Sequence, residues 1–191
     1  MCLSVSSCHT DSVTVSMGDP GVALPLTEGN SWEYQQTTLD SAGIVTDSSG
    51  LTMTVGAPDT IADVTYHSIS NFIFPYLDVT LWTNLPDGVY GISPLPPPPG
   101  PSPPNVSQLL SFPTFPGDTL VYRAYTLHTA SLSVNIVVPA GSFNCVRYDI
   151  YSAGEMVAQL FITPNVGIIK AWRKTGQSRI VEELDSLQVV D

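Results

Sequence analysis

The sequence predicts a mainly β protein, built as a curved antiparallel sheet of half-barrel form or as a two-sheet sandwich, with little or no helix. Three observations carry that expectation. Leu132, Val134, Ile136 and Val138 alternate with Ser131, Ser133 and Asn135, the period of a strand with one buried face. Turn signals such as Gly29-Asn30, Pro86-Asp87-Gly88, Pro139-Ala140-Gly141 and Thr175-Gly176-Gln177 recur at short intervals. No segment carries a convincing helical stripe; residues 104–112 and 180–188 are the only candidates.

In chain order, residues 1–19 read as a flexible lead-in and residues 20–191 as a single β domain. After the Gly29-Asn30 turn, Trp32 and Tyr34 share one face of a strand that ends near Leu39, and Ser41-Ala42-Gly43 closes it. A second arm spans Leu51 to Val55, and Gly56-Ala57-Pro58-Asp59 is expected to turn the chain again. Strands are expected over 64–69, 78–83 and 89–92, with Phe72-Ile73-Phe74-Pro75-Tyr76 as an apolar loop packed on the core. Pro94 to Pro104 is excluded from helix and sheet by its prolines and should be an extended polyproline loop. Its simplest role is a stiff spacer, with a docking peptide as the functional alternative. Leu120 to Leu127 begins a second half that is nearly all strand. The hairpin around Pro139-Ala140-Gly141, the run Met156 to Ile162 and the segments 167–174 and 178–187 follow it.

Composition narrows the function classes. The chain has 191 residues, 43% of them hydrophobic, which gives enough apolar surface for a sizeable core. A formal charge of -11 with only six Lys and Arg argues against nucleic acid, because phosphate binding needs several cations on one face. The same balance disfavours electrostatic docking on anionic lipid. Cys2, Cys8 and Cys145 have no metal-ligand spacing, so no metal or cofactor is expected. Cys145 reads as a buried small hydrophobe. Val5-Ser6-Ser7-Cys8 looks like the end of a bacterial lipoprotein signal, with Cys8 as the lipid attachment and His9-Thr10-Asp11-Ser12 as a polar tether. A lipid anchor would be the only membrane contact.

Several stretches together have a familiar shape. Leu24-Pro25-Leu26-Thr27-Glu28-Gly29-Asn30-Ser31-Trp32-Glu33-Tyr34 resembles the opening "PL..GN.W.Y" of a family of uncharacterised bacterial envelope lipoproteins. Val138-Pro139-Ala140-Gly141-Ser142-Phe143-Asn144-Cys145 resembles its "VPAG.F.C" hairpin, and Thr163-Pro164-Asn165-Val166-Gly167-Ile168-Ile169-Lys170 its "aPgvGlvk" element. Glu182-Glu183-Leu184 fits its closing strand. Members are similar in outline to periplasmic lipoprotein carriers. The resemblance implies a half-barrel, an envelope location (periplasm-facing, at the surface, or secreted) and no catalytic residues to carry over. The polyproline insertion and the lack of a full signal peptide before Val5 depart from the pattern.

The chemistry-bearing residues are sparse. There is no Gly-x-Ser-x-Gly elbow, no His-Glu-x-x-His pair and no phosphate-cradling glycine loop. His9, His67 and His128 lie far apart in sequence, each with a satisfied or solvated reading. Glu182, Glu183 and Asp185 stand near Lys170, Arg173, Lys174 and Arg179, and a cross-strand ion-pair ladder on a solvated face accounts for both groups. Trp32, Trp82, Phe143 and Trp172 fall on expected strands, either as core or as the lining for an apolar ligand. The expectation is therefore a non-enzymatic envelope protein that binds an apolar ligand or lipid, or supports an envelope assembly. The alternative is a surface adhesion or structural β module with a packed core.

Overall fold

The first and last strands of the chain lie side by side in the middle of the sheet, and the two edges come from the middle of the sequence. A computed structural model describes residues 21–73, 79–92 and 106–190. Its strands in chain order are β1 (Ser31–Leu39), β2 (Val45–Ile61), β3 (Val64–Ser70), β4 (Leu81–Leu85), β5 (Gly88–Ile92) and β6 (Val106–Ser111). They continue as β7 (Thr119–Tyr122), β8 (Tyr125–Val138), β9 (Gly141–Ser152), β10 (Glu155–Thr163), β11 (Gly167–Thr175) and β12 (Ser178–Gln188). All twelve join one sheet in the order β6-β5-β4-β3-β2-β1-β12-β11-β10-β9-β8-β7, and every pairing is antiparallel. The sheet coils into a nearly closed half-barrel, with no helix among the described residues. The fold class is the expected one.

Closure follows from bends written into single strands. In the β8–β9 pairing the register shifts between Thr129 and Ser131 and again between Ser131 and Val134. Such bulges bend a strand and increase its twist. The hairpin therefore folds back over the sheet, and the Ala140 N–H at its tip donates to the Leu184 carbonyl of β12 at 3.0 Å. At the seam between the two edge strands, the Tyr148 hydroxyl of β9 donates to the Ser111 carbonyl of β6 at 2.9 Å. The polyproline stretch 94–104 connects β5 to β6 and lies outside the described residues, as do Phe74, Pro75 and Tyr76.

Some boundaries differ from expectation, each for a local reason. The arm expected over 51–55 is the long β2, and Gly56-Ala57-Pro58-Asp59 is not a turn. The β2–β3 register shifts between Val55 and Pro58, so the proline sits at a bulge, where a missing N–H breaks no ladder bond. The segment expected as one strand over 120–127 is split between β7 and β8 by a turn at Arg123, which takes a left-handed φ of 53°. The two weak helix candidates, 104–112 and 180–188, hold β6 and most of β12 instead. The strand expected over 78–83 is β4, shifted to Leu81–Leu85.

One apolar cluster fills the half-barrel. Trp32, Tyr34, Met53, Val55, Trp82, Leu109, Ile162, Ile168 and Leu184 are among its fully buried members. Against this cluster lies Gly167, whose φ is 102° and whose missing Cβ leaves the Trp32 indole nitrogen 3.3 Å from where it would stand. Only glycine meets both conditions. The motif glycine of Val166-Gly167-Ile168 thus exists to let a tryptophan lie flat against a turn.

Candidate functional site

Residues opposite one another in a ladder share a face, so the pairings assign the inner wall. Met53 lies opposite Trp32, and Leu51 opposite Tyr34, which in turn faces Leu184. Gln36, Glu182, Ala171, Leu160 and Tyr148 form the next row across β1, β12, β11, β10 and β9. This wall is where the sequence places any apolar ligand.

Three of the four expected lining residues are in the core cluster. Trp32 is 1% exposed, and its indole N–H donates to the Val166 carbonyl at 2.7 Å. Trp82 is 0% exposed with the Phe72 ring 4.0 Å from its own, and its buried N–H has no hydrogen-bond acceptor among the described residues. Phe143 is buried in the β8–β9 hairpin opposite Ile136. Trp172 lies elsewhere. It pairs with Gln159 and Val181, and its neighbours Ala171 and Arg173 belong to the inner rows, so its ring faces outward. There its N–H donates to Gln159 Oε1 at 2.5 Å, and the Arg179 guanidinium stacks 4.6 Å above the ring. Gln159 in turn donates to Asp149 at 2.8 Å. Cys8, the expected lipid attachment, is outside the described residues.

Sequence reasoning missed a polar group inside the wall. The acid-base cluster near the C-terminus was expected to be a solvated ladder, and half of it is. Lys170 and Glu183 pair at 2.5 Å on the outer face, both about one-third exposed or less. Glu182 points inward and is fully buried. Arg173 donates to its Oε1 at 3.0 Å and Gln36 at 3.1 Å, while Oε2 and the Arg173 Nε–H lack partners. Desolvation raises the Glu182 pKa above its ordinary value, against the lowering effect of Arg173. Burial also raises the Tyr34 hydroxyl, helped by the Glu182 charge, and that hydroxyl donates to the Ile168 carbonyl at 2.9 Å. The signal was available: Glu182 has the same parity as Ile180 and Leu184, whereas Glu183 alternates with them.

The remaining reactive side chains are held in structural bonds. His67 Nδ1 lies 3.3 Å from the Gly56 carbonyl, and His128 Nδ1 lies 3.2 Å from the Thr119 hydroxyl with its ring edge-on to Tyr151. Cys145 is a buried thiol, pushed up to about 11 by desolvation, with its Sγ 3.4 Å from the Thr163 hydroxyl. Among the described residues no group of three His, Cys, Asp or Glu is placed to hold a metal ion. A cavity of about 10 Å³ opens at the seam between Ser111, Asp118, Leu120, Leu127, Thr129 and Tyr148. That is space for about one water molecule.

No protein-family model matches the chain, and no curated protein matches it. Among solved structures it is similar to one described as a putative exported protein with a YmcC-like fold, from Bacteroides fragilis, at 14% identity and a TM-score of 0.42, over 88% of this chain and all of that one. It is also similar to a LolA superfamily protein from Nitrosomonas europaea, at 8% identity and a TM-score of 0.33, over 90% of each chain.

Proposed function

We propose that the protein is a non-enzymatic module of the bacterial cell envelope that works by surface contact, as a structural or adhesion unit with a packed core. The observation that carries this reading is the filled inner wall. Ligand sites for small molecules are clefts of roughly 300–1,000 Å³. Here the wall is occupied by Trp32, Tyr34, Trp82 and their neighbours, each nearly inaccessible to solvent. The envelope location rests on the lipoprotein-like motifs and the acidic, cation-poor composition. In this reading residues 20–191 are one folded unit, tethered through the lead-in 1–19 and a lipid on Cys8.

A second reading, an apolar small molecule or lipid held on the inner wall, is favoured by one feature. The β8–β9 hairpin tip is fastened to β12 through the Ala140–Leu184 hydrogen bond, over a wall that is apolar beneath it. Lifting that tip would expose the wall to a ligand. Titration with a fluorescent fatty acid, read as quenching of tryptophan emission, separates the two. The packed module gives no saturable change. Saturation at one molecule per chain would replace it with the second reading.

A further inference from the structure

Strand β2 has a stretch paired on one edge only among the described residues. Residues Val45 to Met53 pair with β1 on one side, whereas β3 pairs with β2 only from Thr54 onward. The direction of each backbone group follows from its neighbours. Val55 donates to Asn30 and accepts from Gly29 on the β1 side. Thr54 exchanges bonds with the Ser70 hydroxyl, and Thr52 accepts from the Asn71 side chain, both on the β3 side. Alternation along an antiparallel ladder then turns the N–H and C=O groups of Ser48 and Gly50 away from β1, toward solvent. Residues 45–50 are all exposed.

Natural edges are blunted with lysine, proline or inward-pointing charge. This one carries neither lysine nor proline, and Asp47 is its single charge. The run Ser48-Ser49-Gly50-Leu51-Thr52-Met53-Thr54 has no charge at all, in a chain whose net charge is -11.

We propose that this free edge of β2 is the surface through which two copies of the chain associate, strand to antiparallel strand, about a two-fold axis at Ser49. That axis sets Ser48 opposite Gly50 of the second copy, and Gly50 opposite its Ser48. These are the residues whose backbone groups point outward, so each pair exchanges both of its hydrogen bonds. Ser49 then meets Ser49 in the non-bonded position between them, and Asp47 meets Leu51 rather than a second aspartate. An isologous contact of this kind closes as a dimer and does not propagate through this edge. The inference goes beyond the proposed function and does not depend on whether the inner wall takes a ligand.

Sedimentation velocity of the unlipidated 191-residue chain over a wide concentration range tests it. The expected result is a rise from monomer to dimer with concentration, abolished by Ser48→Pro, which removes an outward N–H and no bond to β1. Thermal unfolding shows whether that variant is folded. Hydrogen exchange of the wild-type chain supplies a check that needs no variant: the Ser48 and Gly50 amides should slow as concentration rises. A monomer at every concentration, a dimer unaffected in folded Ser48→Pro, or concentration-independent exchange at those amides would each overturn the proposal.

Discussion

Glu182 and Glu183 are neighbours in sequence, each paired with a cation on β11, and they live in opposite worlds. Glu183 meets Lys170 on the outer face, where water reaches both. Glu182 meets Arg173 on the inner wall, where its carboxylate is wholly buried and one oxygen has no partner. An exposed pair contributes about 0–1 kcal/mol. A buried pair depends on the match between two desolvated charges, and removing either partner strands the other. The same two-residue motif thus holds one ornament of the surface and one structural commitment of the core.

The largest effect expected from this contrast is in Glu182→Ala. It leaves the Arg173 guanidinium without its buried counter-ion and should cost about 3–5 kcal/mol in urea unfolding. An equal loss in Glu183→Ala would erase the distinction between the faces. Next comes Gly167→Ala, which puts a side chain at a left-handed φ against the Trp32 indole and should cost about 1–3 kcal/mol, read from the shift in denaturation midpoint. Tyr34→Phe removes the donor to Ile168 deep in the same wall and should cost about 1 kcal/mol.

The pH dependence sharpens the comparison further. The folded chain raises the Glu182 pKa, so over a window above the ordinary carboxylate range it holds a proton that the unfolded chain has released. The stability this group contributes is therefore complete below its unfolded value and is lost as pH rises through the folded one. Wild type should lose stability relative to Glu182→Gln as pH is raised through that window, as seen in parallel urea titrations. Glu183→Gln should change stability least, by about 0.5 kcal/mol, with the difference shrinking as salt is added.

How much of this was legible before the fold is clearest at single positions. Where one face is apolar and the other polar, as in Leu132 to Val138, alternation alone located the strand. It failed at Pro58, because a bulge lets proline stay inside a strand, and at Arg123, because a left-handed turn was made without glycine, proline or asparagine. The inner wall was half legible. Trp32 and Tyr34 declared their shared face, but Trp172 has the parity of Lys170 and Lys174 and follows them outward. Aromatic character suggested a lining residue, and parity decided the side. Which strands become neighbours is not written in local patterns, so the meeting of β1 with β12 and the fold-back of the β8–β9 hairpin appear only in the assembled sheet.

The central claim is that the inner wall is filled by the chain's own side chains. It is tested most directly by producing residues 18–191 in a bacterial periplasm, purifying them without detergent, extracting with organic solvent and weighing what is released. The account predicts a protein free of stoichiometric lipid. One lipid recovered per chain would contradict it and would make the half-barrel a carrier.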